Sequence, residues 1–282
     1  MTLMLQQQMP ALTDRDFRRF QRLIHGASGI ALTDAKRALI PGRLGRRLRA
    51  LGLTDYGAYL DVVENNGEER TRMLDCICTN ETRFFREPRQ FDFLDQQILP
   101  NWKSAAQRGA MPKRIHAWSV ACSTGEEPAS IAMLLRTHFD AAWQIRVLAS
   151  DLSTRALAAA REGVWALERA ADIPSHYLRA YMLRGVRSAA GTMRTRPEIQ
   201  ELIEFRPINL IDQAYPTAAT FNLIFCRNVL IYFDRDTKAA IIGRLTQHLL
   251  VGGLLLLGHA ETITGIPAGL QHAGPTAYRR VS

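Results

Sequence analysis

The chain has 282 residues, 47% of them hydrophobic, and a formal net charge of +9, which allows one large or two small domains and a sizeable core. Its strongest apolar run, LLVGGLLLLG, is too short and glycine-rich to span a bilayer, and the opening MTLMLQQQMPALTDRD has neither a basic n-region nor a small-residue cleavage site, so a cytoplasmic protein without membrane insertion is expected. The four cysteines (Cys76, Cys78, Cys122, Cys226) form no CxxC pair, which excludes a disulfide framework and points to reduced thiols.

Residues 1–79 read as an all-helical domain. Thr13 and Asp14 offer an N-cap before Phe17, Phe20 and Ile24, which recur at helical spacing. A second helix is predicted from near Thr33. Pro41 and Gly42 disturb it, and Leu44, Leu48 and Leu51 continue it, with Lys36, Arg43 and Arg47 on the other face. A third helix starts at Thr54 and carries Tyr56, Leu60 and Val63, and a fourth covers about Glu68 to Cys78. Residues 15–49 hold ten Arg or Lys against two acids, whereas the rest of the chain carries 26 basic and 25 acidic residues. The excess charge therefore sits on one short segment, which points to an acidic docking partner or nucleic acid rather than a generally sticky surface.

From residue 113 the pattern becomes alternating strand and helix. RIHAWSV (114–120) and QIRVLASD (144–151) read as strands, each followed by a helix, one opening at EEPAS and one running from Ser153 to about Glu162. LIEFRPINL (202–210) and FNLIFC (221–226) are two more strands, and residues 235–250 form a helix. GGLLLLGHA is a fifth strand and TAYRRV a terminal one. Such alternation predicts an α/β domain with a mostly parallel sheet covered on both faces. Residues 186–198 interrupt it as a hairpin-like pair of short segments around Ala190-Gly191.

In an open parallel sheet the ligand lies outside the carboxyl ends of the strands. After the first strand comes ACSTGEEP (121–128), whose small residues let a ligand approach the backbone. Neither GxGxxG nor GxxxxGK[ST] is present. Two carboxylates, Glu126 and Glu127, open the helix instead; they repel a pyrophosphate and welcome a cationic head, although either can simply complement the helix dipole. Asp151 ends the second strand, where an acid can accept from ribose hydroxyls or cap the helix that follows. A nucleoside with a positive charge and no phosphate fits both, and S-adenosylmethionine is such a molecule. The seven histidines show no ligand spacing, and no metal is expected.

TNETRFFREPRQFDFL, WSVACSTGEEPASIAMLL, ASDLSTRALAAAREGVW and FNLIFCRNVLIYFD, in this order and spacing, resemble the CheR family of chemotaxis receptor methyltransferases. The resemblance runs from about residue 12 to 280. It implies a Rossmann-like class I methyltransferase sheet (113–282) with an N-terminal all-helical docking domain and a small β-hairpin subdomain at 184–200. It also implies a linker, 80–112, that contributes to the cofactor site. The implied activity is methyl transfer from S-adenosylmethionine to receptor glutamates, giving S-adenosylhomocysteine and glutamate methyl esters.

By the same resemblance Asn80, Thr82 and Arg86 match the family's cofactor-contacting N-x-T-x-x-x-R, Glu126 the acid that meets the methionine amino group, and Asp151 the acid that meets the ribose. Asn209-Leu210 match a pair near the adenine, Arg227-Asn228 a pair near the methionine end, and Arg86 and Tyr232 the residues close to the transferred methyl. Arg43, Arg46 and Arg47 belong to the basic face that docks on the receptor's helical signalling region. The hairpin subdomain is the part that in some members tethers a receptor's C-terminal peptide. Cys122 departs from the alanine or glycine expected in the turn.

A glutamate carboxylate, with a pKa of about 4.3, is ionised at neutral pH and needs no general base; accordingly the motifs hold no His–carboxylate or Cys–His pair. Amino-group methylases usually carry [DN]-P-P-[YF] where this chain has RNVLIY. An RNA or other macromolecule methyltransferase would suit the basic segment, but aromatic residues interleave poorly with it and no RNA-binding motif occurs. A cofactor-sensing receptor-binding protein without catalysis is the remaining alternative, against which the intact Asn80, Arg86, Glu126, Asp151 and Tyr232 stand.

Overall fold

The computed structural model describes residues 11–261 and 269–282. The chain divides into two units: one runs to Thr79 and takes in Tyr232–Asp234, and the other comprises Asn80–Ile231 and Arg235–Ser282.

In the first unit, α1 (Asp14–Ser28), α2 (Leu39–Ala50), α3 (Tyr56–Asn65) and α4 (Gly67–Ile77) follow from caps and apolar spacing. Thr13 Oγ1 accepts from the Asp16 amide at 3.1 Å, and Gly29 closes α1 in the left-handed region. Asp55 and Asn66 cap α3 and α4 with their side chains, so the third helix starts from Asp55 rather than Thr54. Phe17, Phe20, Ile24, Leu44, Leu48, Tyr56, Tyr59 and Met73 share one core, with Phe20 edge-on to Tyr56 at 6.1 Å. The helix predicted from Thr33 is instead a 3₁₀ turn, Asp34–Lys36, followed by α2. Pro41 does not break α2 because it lies in the first turn, where an N–H has no carbonyl to serve.

The basic face of α2 is largely committed inside this unit. Arg47 Nε and Nη2 each donate to a Glu69 carboxylate oxygen at 2.6 Å, and Tyr59 donates to the same carboxylate at 3.1 Å. Arg43 donates to the Ile77 carbonyl and to Thr79 Oγ1. Of the three arginines expected to dock a partner, Arg46 alone is exposed and without such a bond. Helical spacing shows which face a side chain occupies but not what the neighbouring helix offers it.

In the second unit, α5 (Pro88–Phe93) and α6 (Leu99–Gln107) flank a π-helical stretch, so residues 80–112 are part of this unit and largely helical beyond Pro88. There follow β1 (Arg114–Val120), α7 (Glu126–His138), β2 (Gln144–Asp151), α8 (Thr154–Glu162), β3 (Val164–Ala166), α9 (Ser175–Tyr181) and β4 (Met182–Arg184). The rest is β5 (Thr192–Thr195), α10 (Pro197–Gln200), β6 (Ile203–Pro207), β7 (Phe221–Cys226), α11 (Arg235–Gln247), β8 (Leu249–Leu257), β9 (Leu270–Gly274) and β10 (Ala277–Arg280).

Seven strands form one sheet in the order β6-β2-β1-β7-β8-β10-β9. The five from β6 to β8 are parallel, and β10 and β9 add antiparallel. Strand order reverses between β1 and β7, which makes their carboxyl ends the switch point of the sheet. The fold is the α/β class with a mostly parallel sheet that the strand–helix alternation predicts. Seven strands accord with the sheet that the family resemblance implies; β9, LQHAG, has little β-branched or aromatic character and does not stand out as a strand in the sequence. The small subdomain is a three-stranded antiparallel sheet, β3-β5-β4, and so recruits Val164–Ala166 from outside the expected 184–200 hairpin. Among the described residues no helix is long and apolar enough to cross a membrane.

Glu69 is 2% exposed. Burial pushes its carboxyl up, but the bonds from Arg47 and Tyr59 and the charges of Arg47 and Arg72 outweigh burial and hold it below the usual carboxylate range. A depressed folded-state pKa contributes stability above the unfolded pKa that is lost as pH falls through the folded one. Arg47→Ala removes two charged donors from this carboxylate and leaves it Tyr59 and Arg72; it is expected to destabilise the helices by about 1.5–3 kcal/mol, more than Arg46→Ala. Denaturant titrations of the full chain at neutral and acid pH check both statements: the Arg47→Ala deficit should shrink as Glu69 protonates.

Candidate functional site

The turn after β1 is tight because three of its residues are left-handed: Ala121 (φ 56°), Ser123 (φ 51°) and Gly125 (φ 95°). Gly125 is required twice over, since a Cβ there would stand 3.0 Å from Ala160 Cβ. Asp151, 8% exposed at the end of β2, fastens this turn. Its Oδ2 accepts from the Ser123 amide and its Oδ1 from the Ser153 amide, both at 2.8 Å. The cap of α8 is Ser153, whose Oγ accepts from Ala156, so Asp151 is not that cap. Beside it Glu126 is buried, with Thr124 Oγ1 donating to its Oε2 at 2.7 Å and no ion pair among the described residues.

Residues 80–87 run across the same edge. Ser123 Oγ donates to the Asn80 carbonyl and Arg169 to the Thr82 carbonyl, each at 3.0 Å. The Phe85 amide donates to Ser130 Oγ on α7 at 3.0 Å. The half-buried Arg86 side chain makes one hydrogen bond among the described residues, to the Glu81 carbonyl at 3.1 Å. Asn209 and Leu210 follow β6, where the Ile208 amide donates to the Asp151 carbonyl at 3.2 Å. Tyr215 and Arg244 hold the Leu210 carbonyl at 3.0 and 2.9 Å.

Arg227, expected against a ligand, turns its guanidinium inward and is 5% exposed. Its Nε donates to Glu127 Oε2 at 2.7 Å, and its Nη1 donates to the Arg86 carbonyl at 2.6 Å and to Gln90 Oε1 at 3.0 Å. Phe91 and Phe225 face the guanidinium, each ring centroid 5.5 Å away. Glu127 also accepts from Ser119 Oγ at 2.7 Å, so its role is a buried ion pair. Asn228 is left-handed (φ 58°). Glu261 accepts from the amides of Asn228, Gly258 and Ile231 at 2.7, 2.8 and 3.3 Å. Asn228 Nδ2 and the His259 amide donate to Glu87 Oε1 at 3.3 and 3.2 Å. The other oxygen of Glu87 is buried without a hydrogen-bond partner and lies 3.7 Å from Arg227 Nη1.

The structure thus gathers Asn80, Thr82, Arg86, Glu126, Asp151, Asn209, Leu210, Arg227 and Asn228 along one edge of the second unit. Tyr232 is grouped with the first unit: its carbonyl accepts from the Ala31 amide at 2.8 Å, and Lys36 Nζ sits 5.2 Å above its ring. Glu87, Gln90, Ser130 and Glu261 went unread in the sequence, because a lone acid, amide or hydroxyl in a loop or helix carries no periodic signal. Burial pushes the thiols of Cys122 and Cys226 well above their usual range, which leaves them without chemistry here.

Residues 80–279 match the family model described as "CheR methyltransferase, SAM binding domain", and residues 15–78 match "CheR methyltransferase, all-alpha domain". The chain is 39% identical to the chemotaxis protein methyltransferase of Escherichia coli strain K12, over 95% of this chain and 91% of that one. It is 35% identical to chemotaxis protein methyltransferase 2 of Pseudomonas aeruginosa, over 94% and 93%. A chemotaxis protein methyltransferase of Borreliella burgdorferi is 32% identical, over 95% of each chain.

Removing Glu127's charge leaves the buried Arg227 guanidinium with the more distant Glu87 carboxylate, 3.7 Å away, as its counter-charge. Glu127→Gln is expected to destabilise the second unit by about 3 kcal/mol, and the double variant Glu127→Leu with Arg227→Met to recover most of that loss. Denaturant titration of the full-length native chain, Glu127→Gln, Glu127→Leu, Arg227→Met and the double variant decides it; additive losses would mean the two side chains do not act as a pair.

Proposed function

The chain belongs to the CheR methyltransferase family, and we propose that it methylates glutamate side chains of chemoreceptors with S-adenosylmethionine as donor. The observation that carries this reading is the charge balance at the switch point. Arg227 is shared between Glu127 and, at 3.7 Å, Glu87, while Asp151 and Glu261 accept from backbone amides. Glu126 is buried with no ion pair among the described residues, so Glu87, Glu126 and Glu127, all buried at this edge, have one buried guanidinium between them. A buried carboxylate excess of this kind favours a positively charged ligand and disfavours a phosphate. S-adenosylmethionine fits, with adenosine, a sulfonium and an ammonium.

When bound, S-adenosylmethionine supplies a methyl on a sulfonium, whose carbon–sulfur bond breaks as a carboxylate oxygen bonds the carbon, leaving S-adenosylhomocysteine and a methyl ester. Asp151 accepts from the ribose hydroxyls, Glu126 from the ammonium, and Asn209 and Leu210 border the adenine. Asn80 and Thr82 meet the methionine end. The inward turn of Arg227 leaves its backbone and that of Asn228 for that role. Arg86 orients the acceptor carboxylate; its nearly unpartnered guanidinium supports this. The family resemblance extends that role to the Tyr232 phenol. No proton moves, so positioning is the main demand on these residues.

The acceptor belongs to the helical signalling region of a chemoreceptor. Arg46 on α2 and the exposed Arg15, Arg18 and Arg22 on α1 supply the positive surface that an acidic helical bundle would meet. The three-stranded sheet offers an edge, β4, to which a receptor's C-terminal peptide could add as a strand.

Protein incubated with methyl-labelled S-adenosylmethionine and receptor-containing membranes, then treated with alkali, is expected to release the label as volatile methanol. Alkali-stable label, or label in RNA, would refute ester formation. Asp151→Ala is expected to weaken S-adenosylmethionine binding by about 1–3 kcal/mol; unchanged affinity by calorimetry would confine Asp151 to bracing the turn.

A further inference from the structure

Arg86 lies between two non-glycine residues in the left-handed region, Phe85 (φ 47°) and Glu87 (φ 61°). Such backbone is sparsely populated and persists only where the surroundings over-determine it. At Glu87 the conflict is sharper, because Pro88 steers the residue before it toward extended backbone. The surroundings supply the determination. Ser130 Oγ takes the Phe85 amide and donates to the Glu126 carbonyl at 2.7 Å. Arg227 takes the Arg86 carbonyl, and the Gln90 amide takes that of Glu87 at 3.0 Å. The Phe85 ring stacks on Tyr177 at 4.8 Å. Three backbone groups of the 85–87 turn are thus held, the Phe85 amide and the Arg86 and Glu87 carbonyls, while the Arg86 guanidinium makes a single hydrogen bond among the described residues.

We propose that Ser130 and Arg227 are positioning residues: with Glu87 they clamp the 85–87 turn so that the Arg86 guanidinium is held ready for the acceptor carboxylate. Holding the backbone rigid lowers the cost of orienting a long side chain when the acceptor arrives. Ser130 is fully buried in α7, so its hydroxyl acts on turnover only through the turn. The inference rests on the reading of Arg86 as the acceptor-orienting group.

The test uses the full chain with receptor membranes. Ser130→Ala deletes the acceptor for the Phe85 amide and is expected to lower kcat 10- to 100-fold. Calorimetric affinity for S-adenosylmethionine should stay within threefold and the thermal midpoint within a few degrees. Ser130→Thr keeps the oxygen and should restore most of the loss. Arg227→Lys replaces the planar fork by an ammonium that cannot serve Glu127, Gln90 and the Arg86 carbonyl together, and should reproduce the kcat defect. An unchanged kcat in Ser130→Ala, a loss of turnover that merely follows loss of fold, or a loss of cofactor affinity at unchanged kcat overturns the clamp. Arg86→Ala separates the two ideas. If it abolishes turnover while Ser130→Ala and Arg227→Lys do not, the clamp alone is wrong. If Arg86→Ala leaves turnover intact, the role of Arg86 fails and the clamp with it.

Discussion

A guanidinium buried at the end of a central strand is the constraint on which this catalytic unit depends. Burying the Arg227 guanidinium costs several kcal/mol unless a matched anion and acceptors for its other donors are supplied, on the order of the penalty for any buried ion. The fold provides Glu127 from the first turn of α7, Gln90 from α5 and the carbonyl of Arg86. These partners come from two segments, 86–90 and the start of α7, each at least 100 residues from Arg227 in sequence. One side chain therefore draws the end of β7, the start of α7 and the 80–90 segment together, and their meeting point is the switch point of the sheet.

The remaining charges at that edge are arranged around this hub. Asp151 and Glu261 each accept from amides of the loops they organise, so they brace the site as much as they charge it. Glu126, which has no ion pair among the described residues, gives the edge its negative character beside a glycine turn that brings the backbone close. Glu87 shares the Arg227 guanidinium with Glu127. A Rossmann-like edge with this balance differs in kind from one that binds a pyrophosphate: the helix N-terminus that would welcome an anion is occupied by carboxylates of the protein itself.

Much of the fold was legible because strands and helices announce themselves by period and caps. Phe17, Phe20 and Ile24 with Thr13, and the runs RIHAWSV, QIRVLASD and FNLIFC, fall where the structure has elements. What was hidden depends on tertiary pairing. No pattern tells that Arg43 and Arg47 of α2 find the Ile77 carbonyl and Glu69, and a helical face that looks ready for a partner is mostly closed. β3 and β9 are too short or too weakly apolar to stand out, and exist because β5 and β10 offer them a ladder. At the sheet edge, the residues named by motif resemblance lie along one side of the second unit, but Arg227 turns its side chain inward. Its position in FCRNV fixes where its backbone lies, and only Glu127 and Gln90 decide where its side chain goes.

The dependence of the site on the Arg227 hub is most directly tested by hydrogen-exchange mass spectrometry on the native chain and on Arg227→Lys. Loosening the hub should speed amide exchange together in residues 85–90, 126–130 and 228–231, while α1 to α4 keep native protection. Faster exchange confined to the neighbours of position 227, with 85–90 and 126–130 unchanged, would show that these segments stand without it and would contradict the account.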